Sequence, residues 1–234
     1  MDDTILLWEI PAPKVWESAI NRYTAELGGV DPQVVLKVIR AAADWYWSDP
    51  SRHRTGRLDL PAARREIGRM AFEKLGRKDF ELADKIADTY NAEREKGGTL
   101  APGAIETLKN LRKRGIKLAM ITNGASDFQR AKIEKFNLAP LFDNILIEGE
   151  FICGKPDERV FTHTLEKLKV SPSAAWMVGD NPDFDIAPCR SLGIYSLMVD
   201  GKSDDGFNPH KIRPDKTIHN ISEIPDLLDQ AQTR

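Results

Sequence analysis

From Gly103 onward, short apolar runs alternate with amphipathic stretches, a pattern that a chain of this length satisfies by roofing a parallel sheet with helices. The runs at 116–121, 144–147, 175–178 and 195–199 lack the strict polar–apolar alternation that would let one face stay in water. They read as buried parallel strands whose two faces must both be covered. Between them, Ile105, Leu108 and Leu111 share one helical face before Gly115, and Phe161, Leu165 and Leu168 line another. Ser126 is placed as the N-cap of a helix carrying Ile133 and Phe136. The expected class is α/β, with a Rossmann-like parallel-sheet core.

The segment 11–98 shows helical periodicity and charge pairs but no convincing strand. Pro11 and Pro13 punctuate its start, and Lys96-Gly97-Gly98-Thr99 breaks its last helix. The expected organisation is a discontinuous core, residues 1–10 and 99–234, interrupted by an all-helical unit, residues 11–98. Within that unit Trp45, Tyr46 and Trp47 are either pocket lining or, as aromatic residues in helices more often are, simply core. Residues 200–215, rich in Gly, Pro and charge, read as a surface loop.

With 34 basic and 36 acidic side chains the formal charge is −2, so no net field favours nucleic acid or an anionic membrane as partner. Cys153 and Cys189 form no CxxC pair and read as small buried hydrophobes, and no long apolar span occurs. A cytoplasmic protein, monomer or homodimer, acting on a small molecule is the expectation.

Four short signals carry chemistry: Met1-Asp2-Asp3-Thr4-Ile5, Ile121-Thr122-Asn123-Gly124, Gly154-Lys155-Pro156, and the loop from Gly179 to Ile186 holding Asp180 and Asp185. The last three follow predicted parallel strands, where open α/β sheets bind ligands. Hydrolysis of a phosphate ester through a covalent intermediate needs a carboxylate nucleophile, a proton donor for the leaving oxygen, and groups that hold phosphoryl charge. Asp180 and Asp185 offer hard oxygen ligands for Mg²⁺. Lys155 adds a fixed positive charge, Thr122 a hydroxyl donor, and the Asn123-Gly124 turn free backbone N–H groups, together an anion cradle.

In this order and context the four signals resemble the haloacid dehalogenase superfamily, whose motifs are Asp-x-Asp, a Thr or Ser, a Lys, and a Gly-Asp-x-x-x-x-Asp loop. The resemblance spans nearly the whole chain, and it likens the helical insertion to the cap that closes over small substrates in many members. It implies that Thr122 binds the phosphoryl group, that Lys155 steadies nucleophile and phosphoryl charge, and that Asp180 and Asp185 hold magnesium. It makes Asp2 the general acid/base, with its main-chain carbonyl touching the metal. The nucleophile, and the apolar strand before it, would then precede Met1. An alternative aligns Asp2 itself as nucleophile with Thr4 two positions on. An acid that protonates a departing alkoxide favours phosphatase over dehalogenase, because a halide needs no proton. Phe184 stands where members often have Asn.

Near-misses are set aside on chemistry. Gly149 to Pro156 almost spells a P-loop, but Pro156 replaces the metal-binding hydroxyl. An EF-hand starting at Asp183 has Pro188 where glycine is needed. The rivals are a non-catalytic phosphate- or metabolite-binding protein with a degenerate phosphatase fold, and a haloacid dehalogenase.

Overall fold

The computed structural model describes residues 1–199 and 212–232. Most of the expected 200–215 loop therefore lies outside the described residues. The chain divides into two compact units, residues 8–98 and residues 1–7 with 99–234.

The first unit is helical: α1 (Ala12–Asn21), α2 (Pro32–Ser48), α3 (Pro50–Gly56), α4 (Leu60–Lys74) and α5 (Phe80–Lys96). Their starts are written in the sequence. Asp31, Asp49, Asp59 and Asp79 precede α2 to α5, and each side chain accepts a hydrogen bond from a backbone N–H of the first turn. Proline fills an early position of α1 to α4, where its missing N–H costs nothing. One continuous core unites all but the shortest helix, with Ile20, Ile39, Ile67, Phe72, Leu82 and Ile86 fully buried. Trp16 stacks on Tyr90 at 4.1 Å. The aromatic triplet is divided. Tyr46 is core, Trp47 packs against it, and Trp45 is 48% exposed beneath the Arg52 guanidinium.

Two short strands, β1 (Leu6–Trp8) and β2 (Gly98–Leu100), pair where the chain leaves and re-enters the second unit. That unit alternates α6 (Ala104–Lys113), β3 (Ala119–Thr122), α7 (Ser126–Lys135), β4 (Asn144–Ile147), α8 (Glu158–Leu168), β5 (Trp176–Gly179), α9 (Ala187–Leu192) and β6 (Tyr195–Val199). The edge strand β7 (Lys216–Ile218) and α10 (Ile224–Gln232) complete it. Pairing is parallel throughout these strands: β3 with β4 from Ala119↔Asn144 to Thr122↔Ile147, and β5 with β6 and β6 with β7. The class is the α/β one anticipated, with differences in detail. Strand β3 begins at Ala119 rather than Ile116, because the Leu118 N–H is taken by the Asp143 carboxylate at 2.8 Å and its carbonyl by the Asp143 N–H at 2.7 Å. Ser126 is the first helical residue, not the N-cap, and its hydroxyl donates to Glu150. The sequence of β7, Lys-Thr-Ile, has no apolar run to announce it.

Among the described residues the parallel strands β3 to β7 form two separate sheets, β3–β4 and β5–β6–β7. The facing edges, Leu118 to Ile121 and Trp176 to Gly179, line a cavity of about 590 Å³. Its walls are mainly apolar, including Leu108, Leu111, Phe161 and Leu165, while Met1, Thr4, Lys155 and Asp185 also line it.

Candidate active site

Thr122 is the last residue of β3, and Asp180 follows β5 directly, so both stand at the carboxyl ends of parallel strands. Thr122 is buried. After it, the Asn123 side chain exchanges two hydrogen bonds with the Lys155 backbone: Nδ2 donates to the Lys155 carbonyl and Oδ1 accepts from its N–H, both at 2.8 Å. This clamp ties the second and third sequence signals together. It needs Gly154 next door, since a Cβ there would collide with Glu148 and Asn123.

Lys155 is itself buried, and its Nζ donates to Oδ1 of buried Asp185 in a close ion pair. The other carboxylate oxygen of Asp185 accepts the Asn181 N–H at 3.0 Å. Gly179 makes the approach of Asp185 to the strand end possible, because any side chain there would overlap its carboxylate. The loop is shaped by Asn181, whose side chain accepts from the Asp183 and Phe184 N–H groups at the start of a π-helical turn, Pro182–Ile186. Phe184 thus enters this cap through its backbone.

Asp180 lies within reach of the Thr4 hydroxyl, which donates to its Oδ1 at 3.3 Å. Burial, and then the neighbouring Asp185 charge, raise its carboxyl above the ordinary range. The raised Asp180 carboxyl beside a second negative charge is what a hard cation would relieve. Among the described residues no three His, Cys, Asp or Glu side chains gather as a metal cluster. Magnesium does not require one, since it commonly takes one or two carboxylates and completes its shell with water and phosphate oxygens. The donor set fits that ion.

Asp2 is placed differently. Its carboxylate meets Lys132 Nζ at 2.9 and 3.0 Å and Gln129 Nε2 at 3.4 Å. Burial opposes its charge, but Lys132, the Met1 ammonium and the hydrogen bonds from Lys132 and Gln129 outweigh it and hold the carboxyl below the usual aspartate range. Met1 to Leu6 form a tight turn in which the Met1 carbonyl accepts from the N–H groups of Ile5 and Leu6, and Asp3 takes a positive φ of 52°.

One expected part of the anion cradle is spent elsewhere. The Gly124 N–H donates to the buried carboxylate of Glu148 at 3.0 Å, and its carbonyl accepts from Gly149. Gly124 therefore stiffens the turn rather than offering its N–H to a ligand. Glu148, Gln129 and Lys132 were not singled out in the sequence. The only signal for the latter two is their i, i+3 spacing, which places both on one face of α7. The two cysteines are buried and not disulfide-bonded. Cys189 donates to the Asp185 carbonyl, and burial, then Asp185, push its thiol up to about 12.

The family profile described as "haloacid dehalogenase-like hydrolase" matches residues 1–193. The phosphoserine phosphatase of Thermus thermophilus is 35% identical to this chain, over 96% of it and 95% of the relative. The glyceraldehyde 3-phosphate phosphatase of Methanocaldococcus jannaschii is 31% identical over 54% of this chain and 55% of its own. Among solved structures, a 2-haloacid dehalogenase from Pseudomonas syringae pv. Tomato superposes with a TM-score of 0.60 at 30% identity, covering 98% of this chain and 96% of that one.

Proposed function

The chain belongs to the haloacid dehalogenase-like hydrolases, and from that premise we propose that it is a magnesium-dependent phosphatase of a small phosphorylated metabolite in the cytoplasm. The observation that carries the reading is the convergence of Thr122, Lys155, Asp180 and Asp185 at one end of the parallel strands. The character of the relatives adds to it, two of them being phosphatases by name.

On this reading Thr122 donates its hydroxyl to a phosphoryl oxygen. Lys155 supplies fixed positive charge, and its pairing with Asp185 holds the ammonium in place without a search through rotamers. Asp180 and Asp185 would hold magnesium, which supplies charge neutralisation for the phosphoryl oxygens when bound. Asp2 is the acid/base group. It gives a proton to the departing alkoxide, then takes one from the water that hydrolyses the aspartyl phosphate. The Lys132 pairing favours the ionised form, hence the second of these halves.

On this reading the nucleophile is an aspartate carboxylate acting at the strand ends beside Lys155 and Asp185, where it would form the aspartyl phosphate. The test is turnover: the protein should release phosphate from nitrophenyl phosphate with magnesium and lose that release in Asp180→Ala. Halide release from 2-chloropropionate without phosphate release would overturn the phosphatase reading in favour of a dehalogenase.

A further inference from the structure

Gln129 is buried in α7, and its role is absent from the four sequence signals. Its amide nitrogen lies 2.5 Å from the Asn123 carbonyl oxygen, 3.1 Å from Thr122 Oγ1 and 3.4 Å from Asp2 Oδ2. The orientation of the amide follows from chemistry. A main-chain carbonyl and a carboxylate can only accept, so the NH₂ end must face them. The Gln129 Oε1 is left buried without a partner among the described residues. Turning the amide over would set that oxygen against the Asn123 carbonyl and the Asp2 carboxylate, a worse arrangement.

A hydroxyl has one proton and two lone pairs. Because Gln129 donates to Thr122 Oγ1, it occupies a lone pair and turns the hydroxyl proton away from itself. We propose that Gln129 is a positioning residue that makes Thr122 a committed donor toward a phosphoryl anion, its two N–H protons going to the nearer Asn123 carbonyl and Thr122 hydroxyl while the Asp2 carboxylate, at 3.4 Å, is held by Lys132. One side chain thereby ties the turn after β3 to the anion site. Lys132, one turn on, holds the same Asp2 carboxylate. The inference rests on the phosphatase reading of Thr122.

The test is calorimetric titration of the full chain with inorganic phosphate in the presence of magnesium. A hydrogen bond to a charged group corresponds to about tenfold in affinity or more. Gln129→Met should weaken phosphate binding about tenfold. Gln129→Leu, which likewise removes the donor and sets no oxygen against the Asn123 carbonyl, serves if the first variant does not fold and should weaken binding to the same extent. The decisive readout is the double variant. If Gln129 acts through Thr122, then Gln129→Met added to Thr122→Val should bring little further loss, which a general structural role would not produce. Unchanged affinity in Gln129→Met and Gln129→Leu, or losses that simply multiply in the double variant, would overturn the positioning role alone. Absence of phosphate binding by the unaltered chain would instead remove the phosphoryl-site reading, and this role with it.

Discussion

The helical unit and the α/β unit face the same demand, that every buried backbone N–H and C=O find a partner, and they meet it by different means. Helices satisfy most of these groups within themselves, and in residues 8–98 the aspartate caps settle much of the remainder locally. One continuous core then suffices. Strands depend on neighbours. In the α/β unit the buried apolar residues fall into two clusters, and the parallel strands β3 to β7 into two sheets, with the cavity between their facing edges. The lesson is that local completeness belongs to the helical unit, whereas the unit that carries the chemistry depends on distant partners.

This contrast can be broken by experiment. The largest effect is expected where a distant pair is cut. Lys155→Met leaves Asp185 buried without its cation and should cost about 3–5 kcal/mol in urea unfolding. A loss below about 1 kcal/mol would show that Asp185 finds another partner.

Next comes a matched pair of truncations. Leu82→Ala opens a new hole in the closed helical core and should cost about 3–4 kcal/mol, whereas Leu108→Ala, whose side chain lines the existing cavity, should cost about 2 or less. Equal losses would erase the distinction between the units. Asp79→Ala removes a single cap from α5 and should lower stability by about 1 kcal/mol, read as a shift in denaturation midpoint.

The smallest effect is a pH dependence. The Leu118 N–H holds the Asp143 carboxyl below its usual value against the opposing effect of burial, with Arg112 adding to the lowering. Its contribution is therefore complete above the unfolded pKa, about 3.9, and is lost as pH falls through the lower folded value. Asp143→Asn should flatten that acid-side loss in unfolding curves taken between about pH 2 and 5. An unchanged slope would remove the contact from the start of β3.

Legibility in the sequence follows the same division. The runs at 144–147 and 195–199 are strands at those bounds, since unbroken apolar character leaves few alternatives. The helices α6 and α8 cover the faces that their periodicity predicted. Strand β7 escaped notice because an edge strand is specified by its neighbour rather than by its own composition. Glu148 reads as an ordinary acidic residue until the fold brings the Gly124 N–H to it, 24 positions away.

The sequence by itself determined the class of fold and the four signals that mark the family, because periodicity and short motifs act over a turn or two of chain. The tertiary structure decided that Gln129 and Lys132 meet Asp2 across 127 and 130 positions, that Gly124 is occupied, and that Lys155 faces Asp185. Such contacts pair side chains through space. No local pattern records them, since either partner alone is a common polar residue whose meaning appears only when burial removes its water and leaves one acceptable partner.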